Sequence, residues 1–274
     1  MHGLGNDFAV FDARNQKLAL DAATARAIAD RRLGIGCDQV IVIEPATNGA
    51  DAFMRIYNSD GGEVENCGNA ARCIARVLMD EKNVRDITLE TKGGLLVCAA
   101  HDDLVTIDMG VPRFGWRDIP MAHETDTLSF PVEIEGEDFF PLTIATAVNV
   151  GNPHVVLFVQ DAEHAPVSAL GAKIEHHPLF PERTNVEFVS LIDKDRLRMR
   201  VWERGAGITM ACGTGACATM VAAYRRGLVG HKAEVVLDGG PLTIEWAGEG
   251  KPVLMTGAWS RAYRGEIDLA ALKP

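Results

Sequence analysis

No apolar run in these 274 residues approaches the roughly 20 residues a membrane-spanning helix needs. The N-terminal stretch also lacks the basic-then-apolar layout of a secretory leader. Positive charge is in short supply: 27 Lys and Arg against 38 Asp and Glu leave a net charge of −11 and a pI near 5.2. This balance disfavours non-specific binding to nucleic acid or an anionic membrane, although it leaves room for a local basic pocket. Arg72, Arg76, Arg225 and Arg226 read as scattered helix-surface charges, not as a nucleic-acid stripe. Cysteine is sparse as well. Six in the whole chain are too few for a disulfide scaffold, and no Cys-x-x-Cys pair exists. Free thiols in a cytoplasmic protein are the expectation. Gly3-Leu4-Gly5 and Gly213-Thr214-Gly215 complete neither a dinucleotide fingerprint nor a phosphate loop. With 47% hydrophobic and 24% charged residues, the chain can bury a full core as one large domain or two ordinary ones.

What the chain does contain is a pair of similar segments. One is Asn66-Cys67-Gly68-Asn69-Ala70-Ala71-Arg72-Cys73; the other is Ala211-Cys212-Gly213-Thr214-Gly215-Ala216-Cys217-Ala218. Each sets a cysteine, a glycine and a small polar residue before an Ala-rich run that predicts a helix. Around them the pattern predicts a helix over residues 22–32, capped by Asp21, with Ile28 and Leu33 inward and Gly34 as a left-handed terminator. Strands are expected at 40–43, 53–57, 87–90, 95–99, 104–109, 130–134, 142–150, 155–159, 186–191 and 197–202, with a final return strand beyond Gly257. Pro166 suits the first turn of a helix reaching Glu175, and Pro112–Pro120 is the best linker candidate.

The two segments belong to a longer repeat. Asn6 and Asn152 are 146 positions apart, Asn58 and Glu203 are 145, Cys67 and Cys212 are 145, and Gly93-Gly94 and Gly239-Gly240 are 146. Any one match could be chance; four at a nearly constant offset indicate that half the chain is duplicated. Several strands accompany each helix without evident βαβ alternation. The expected fold is therefore α+β: two pseudo-symmetric half-domains, each a mainly antiparallel or mixed sheet wrapped around a central helix. The boundaries expected are 1–112 with 258–274 for the first half and 113–257 for the second, with the helix starts meeting at a cleft.

A cysteine at a helix start meets the first-turn amides and the positive end of the helix dipole, which lower a thiol pKa. The same amides can hold a carboxylate. For an arbitrary cysteine, burial as a small hydrophobe is the usual role, and Cys37, Cys73, Cys98 and Cys217 fit it. The spacings around Cys67 and Cys212 are not those of zinc hooks. Two facing thiols suit proton transfer at a carbon beside a carboxylate. One enters as thiolate and removes the proton; the other, as thiol, returns one to the opposite face. Amides of Gly68, Asn69, Gly213 and Thr214 would hold the carboxylate. Asn6, Asn58, Asn152 and Asn185 beside glycines or turns are ordinarily turn residues. His154, Glu203 and Arg204 would ordinarily be solvated side chains. The duplication raises all of them to candidates.

These stretches resemble the diaminopimelate epimerase family over essentially the whole chain. The matching residues are His2-Gly3-Leu4-Gly5-Asn6-Asp7-Phe8, Asn58 through Cys73, Gly151-Asn152-Pro153-His154, Phe180-Pro181-Glu182-Arg183-Thr184-Asn185, and Glu203-Arg204-Gly205-Ala206-Gly207 through Cys217. The resemblance implies interconversion of LL- and meso-2,6-diaminopimelate without pyridoxal phosphate, metal or other cofactor, in a homodimer. It implies Cys67 and Cys212 as the acid–base pair, with His154 and Glu203 near the thiols and the reacting amine. Asn58, Asn152, Asn185 and Arg204 would recognise the distal end, with Asn6 and Gln39 lining the pocket. Departures from the family pattern are Ala70, Gly61-Gly62, Cys37 and Ile208, none of them a proposed reacting group. Racemisation of another amino acid, such as proline, and simple anion binding are the competing readings.

Overall fold

The computed structural model describes residues 1–16, 18, 20–134 and 143–272. The chain divides into two compact units, Met1–Asp108 with Thr256–Pro274, and Met109–Met255.

In the first unit, β1 (His2–Gly3) and β2 (Asn6–Asp12) form a hairpin. Its two central residues, Leu4 and Gly5, both have positive φ, 55° and 85°, as a tight hairpin turn requires. Gly3 serves differently: a Cβ there would lie 3.0 Å from the Arg72 guanidinium and 3.1 Å from the Asn69 carbonyl. Helix α1 (Ala22–Ala29) begins where the Asp21 carboxylate accepts from the Thr24 amide and buries Ile28. It stops three residues short of the expected end, because the Asp30 side chain takes the amides of Arg32 and Leu33 into a local turn. Leu33 consequently points outward, 82% exposed. Gly34 is not the left-handed residue; Gly36 is. Gly34 is instead where the chain crosses the helix closely, a Cβ there falling 2.1 Å from the Ala27 carbonyl.

Strands β3 (Gln39–Glu44), β4 (Ala52–Asn58) and the short β5 (Glu63–Val64) follow, and Cys67 then opens α2 (Gly68–Lys82). Ala71, Ile74 and Leu78 are all buried on this helix, and Asn83 ends it in a left-handed cap. Strands β6 (Asp86–Thr91), β7 (Gly94–His101) and β8 (Leu104–Asp108) complete the unit. The sheet is mixed: β2 runs parallel to β3, β3 antiparallel to β4, β4 parallel to β6, and β6 antiparallel to β7. Each parallel pair is joined through a helix, so βαβ crossovers are present although the sequence pattern does not reveal them. Helix α2 lies on β6, β7 and β8.

The second unit repeats this order. After β9 (Phe130–Val132) come the hairpin β10 (Thr143–Asn149) and β11 (Pro153–Phe158), then α3 (Val167–Glu175), β12 (Asn185–Asp193) and β13 (Arg196–Glu203). Next are β14 (Gly207–Ile208), α4 (Gly213–Arg225), β15 (Lys232–Leu237) and β16 (Gly240–Trp246). The pairings match as well: β11 parallel to β12, β12 antiparallel to β13, β13 parallel to β15, β15 antiparallel to β16. Leu142, where a strand was expected to begin, lies outside the described residues. Residues 216–218 and 220–223 of α4 are fully buried, as an all-round apolar helix must be.

Two expectations about connections change. Pro112–Pro120 is no free linker, since Arg113 and Asn149 exchange backbone hydrogen bonds at 2.8 and 3.0 Å. The last strand, β17 (Val253–Gly257), precedes the expected return segment. Beyond Gly257, the regular structure among the described residues is a bridge from Ser260 to His2 and a 3-10 turn at Leu269–Ala271. No helix is long and apolar enough to cross a membrane among the described residues.

Candidate active site

In the first unit Cys67 occupies the N-cap of α2 with extended backbone (φ −147°), and its Sγ accepts from the Ala70 amide at 3.5 Å. A short side chain with an acceptor atom is what this position selects. The thiol also donates toward Asn6 Oδ1 at 3.8 Å. That oxygen accepts from Asn69 Nδ2 at 3.2 Å, while Asn6 Nδ2 donates to Asp38 Oδ2 at 3.0 Å. Arg31 clamps both Asp7 and Asp38. Burial alone would raise the Asp7 carboxyl, but Arg31 and the Asp38 amide hold it below its ordinary range. One turn beyond Cys67, Arg72 is fully buried, contrary to its surface reading. Its guanidinium donates to Asn69 Oδ1 at 2.8 Å and to the Ala258 carbonyl at 3.1 Å. Gln39 and Asn58 face each other across β3 and β4, Gln39 Nε2 donating to Asn58 Oδ1 at 2.9 Å. Gln39 Oε1 is buried and accepts from nothing among the described residues.

In the second unit Cys212 holds the same place on α4, its Sγ accepting from the Gly215 amide at 3.3 Å and lying 3.5 Å from the Thr214 hydroxyl. Gly213 and Thr214 stand at the first two positions of that helix, as Gly68 and Asn69 do on α2, where backbone amides point out of a helix. Strand β11 presents His154, whose Nδ1 is 2.7 Å from Glu187 Oε1 and whose Nε2 is 2.8 Å from Asn152 Oδ1. Glu203, at the end of β13, accepts from the Thr209 hydroxyl. Asn185 donates to the Pro153 carbonyl at 2.8 Å and accepts from the Arg204 amide at 2.9 Å, while the Arg204 guanidinium reaches the Glu182 carbonyl.

The electrostatics overturn one expectation. Helix amides were to lower both thiols, yet the Cys212 thiol is pushed well up. Burial is the first cause, followed by the charges of Glu203 and Glu187, which together outweigh the bonds from Thr214 and Gly215. Cys212 is thereby held in its proton-bearing form. Burial likewise raises the carboxyls of Glu203 and Glu187. No disulfide joins any of the six cysteines; burial pushes Cys37 and Cys73 up to about 11 and Cys98 up to about 12.

The structure thus gathers Asn6, Cys67 and Asn69 in one place and Gln39 and Asn58 in another within the first unit. In the second it gathers Asn152 with His154, Glu203 near Cys212, and Asn185 with Arg204. Sequence reasoning missed Glu187 and Thr209. The available signal for Glu187 was an acidic residue inside the apolar run Val186–Val189, at the repeat position of Ile41. Among the described residues, no group of three or more His, Cys, Asp or Glu side chains is arranged to hold a metal ion.

Comparison with known proteins agrees with this architecture. The diaminopimelate epimerase family model matches residues 1–115 and 146–262. Diaminopimelate epimerase of Rhodospirillum centenum is 52% identical over 269 residues, covering 97% of this chain and 90% of that one. The enzyme of Erythrobacter litoralis is 53% identical, covering 98% and 96%. Among solved structures, a hydroxyproline epimerase from Agrobacterium vitis superposes with a TM-score of 0.65 at 19% identity, covering 94% of this chain and 87% of that one. A phenazine biosynthesis protein from Enterococcus faecalis gives a TM-score of 0.65 at 16% identity, covering 93% and 89%. Those structures share the fold; the identity and coverage of the two bacterial sequences go further, and by them this chain belongs to the diaminopimelate epimerase family.

Proposed function

We propose that this chain converts LL-2,6-diaminopimelate to the meso isomer without a cofactor, with Cys67 and Cys212 acting from opposite faces of one α carbon. The observation that carries this reading is the pair of equivalent thiols, each at the N-cap of a helix in a duplicated unit. In the LL-to-meso direction the Cys67 thiolate takes the α proton, and the electron pair of the C–H bond is left on carbon. Cys212 gives its S–H proton to the other face of that carbon, becoming the thiolate. The reverse reaction exchanges the roles, so protons balance over a cycle. That Cys212 is held protonated suits it to this first role.

Amides of Gly68, Asn69, Gly213 and Thr214 bind the reacting carboxylate and stabilise the charge that develops on it. His154 and Glu203 attend the thiols and the reacting amine. Asn58, Asn152, Asn185 and Arg204 recognise the distal amino-acid end, while Asn6 and Gln39 line the pocket. The protein works as a cytoplasmic homodimer in this reading.

Incubation of the reduced, metal-free protein with LL-diaminopimelate in deuterated water tests it. Deuterium at one α carbon together with meso product is expected. Absence of both would leave only a binding role. Cys67→Ser and Cys212→Ser are each expected to lower turnover at least ~10³-fold with an intact fold; full activity in either excludes the two-thiol chemistry.

A further inference from the structure

The duplication supplies an internal control for every buried polar group. At matching register, β2 and β3 of the first unit place Phe8 opposite Gln39 and Val10 opposite Ile41. Strands β11 and β12 of the second place His154 opposite Asn185 and Val156 opposite Glu187. Where one half has a phenylalanine and an isoleucine, the other has an imidazole and a carboxylate, both side chains fully buried and 2.7 Å apart. The fold itself therefore does not need a charged pair at this place. Buried pairs of this kind generally contribute no more stability than apolar side chains of similar size, so the reason for the exchange lies elsewhere.

Its surroundings indicate where. Glu187 lies beneath the first turn of α4: a Cβ on Gly215 would fall 2.9 Å from Glu187 Oε1 and 3.2 Å from Cys212 Sγ. Through Oε1 the carboxylate meets His154 Nδ1, and the far nitrogen of the ring meets Asn152. Its second oxygen, Oε2, is buried with no hydrogen-bond partner among the described residues, so the carboxylate is not there to satisfy neighbouring polar groups of the scaffold.

We propose that Glu187 is a positioning residue of the epimerisation: it fixes the orientation of the His154 imidazole and, through it, the side chain of Asn152, from directly under the turn that carries Cys212. The inference rests on the epimerase reading above. An imidazole held at one nitrogen by a buried carboxylate and at the other by Asn152 Oδ1 is fixed at both ends and cannot flip. Without that anchor the ring and Asn152 sample several arrangements beside the thiol, and productive geometry becomes a minor population.

The test uses Glu187→Gln, His154→Gln, their double variant, and His154→Phe combined with Glu187→Ile, which installs the pair the first unit already carries. In the wild type, a slowly exchanging downfield imidazole N–H proton is expected in the NMR spectrum, assigned to His154 by its loss in His154→Gln. It should also vanish or move upfield in Glu187→Gln. Turnover of LL-diaminopimelate should fall at least ~10-fold in Glu187→Gln, and the double Gln variant should be no slower than His154→Gln alone. The Phe/Ile variant should melt no lower than the wild type while losing turnover. Wild-type turnover in folded Glu187→Gln, fully multiplicative losses in the double variant, or a marked drop in melting temperature for the Phe/Ile variant would each overturn the proposal while leaving the epimerase reading intact. An inactive wild type that still shows the imidazole signal would instead remove the epimerase reading.

Discussion

Gly215 is closely confined beside the second thiol. In a helix interior, glycine to alanine ordinarily stabilises by about 0.5–1 kcal/mol. Here the added methyl would meet the Glu187 carboxylate at 2.9 Å and Cys212 Sγ at 3.2 Å, and the carboxylate is pinned by His154. Gly215→Ala should therefore lose roughly 1–3 kcal/mol net and most of its turnover, as read by urea denaturation and initial rates. An unchanged midpoint and rate would mean that the turn gives way more easily than its contacts suggest. The two cysteines are recognisable in the sequence because helix-start chemistry is local: a cysteine, a glycine and an Ala-rich run lie side by side in the chain. Glu187 is not, because its partners stand 33 positions before it and 28 after it. Only register across a parallel pair of strands brings it to His154.

At the scale of elements, α2 shows how a helix start is braced from inside. Arg72, one turn in, reaches back to Asn69, whose amide donates to Asn6, the residue facing Cys67. It also takes the carbonyl of Ala258 from the C-terminal segment. Arg72→Leu keeps an apolar stem but removes these charge-assisted bonds. A loss of about 2–4 kcal/mol is expected in chemical denaturation, accompanied by a fall in turnover as Asn69 and Asn6 loosen. Activity at the wild-type level in a folded Arg72→Leu protein would show that Asn6 needs no such brace. An arginine on an Ala-rich helix looks solvated from sequence, since nothing nearby in the chain reveals that its carbonyl partner comes 186 positions later. The same limitation explains α1. Its start at Asp21 is legible because the cap is three residues long, whereas its early stop depends on Asp30 folding back on the following amides.

Over the whole molecule, the buried thiols tie stability to alkaline pH. Cys37 and Cys73 sit near 11 and Cys98 near 12, against 9.0 for an unhindered thiol. Below about pH 9 these groups are neutral whether the chain is folded or not. As pH rises further the unfolded chain ionises first, so folding stability falls until pH passes the folded values. For Cys98 the full loss is of order 4 kcal/mol, and for Cys37 and Cys73 about 2–3 kcal/mol each. Melting temperature should decline steadily from pH 9 to pH 11 and do so less in Cys98→Val. A flat profile would mean that these thiols ionise without unfolding the core. The duplicated α+β organisation was legible because its offset of about 146 positions recurs through the chain. The helix-linked parallel pairs were not, since strands of adjacent sequence blur the alternation that normally announces them.

The way the second unit begins and ends carries a further meaning. Met109 donates to the Val253 carbonyl and Val253 to the Gly110 carbonyl, both at 2.9 Å, so the beginning and end of that unit are hydrogen-bonded neighbours. Thr106 and Thr256, flanking the same junction on the other side, share a hydroxyl contact at 2.7 Å. The second unit therefore starts and ends at one seam. Such a unit could be cut out at that seam and its own two ends joined at little entropic penalty, because no long loop would need to be closed.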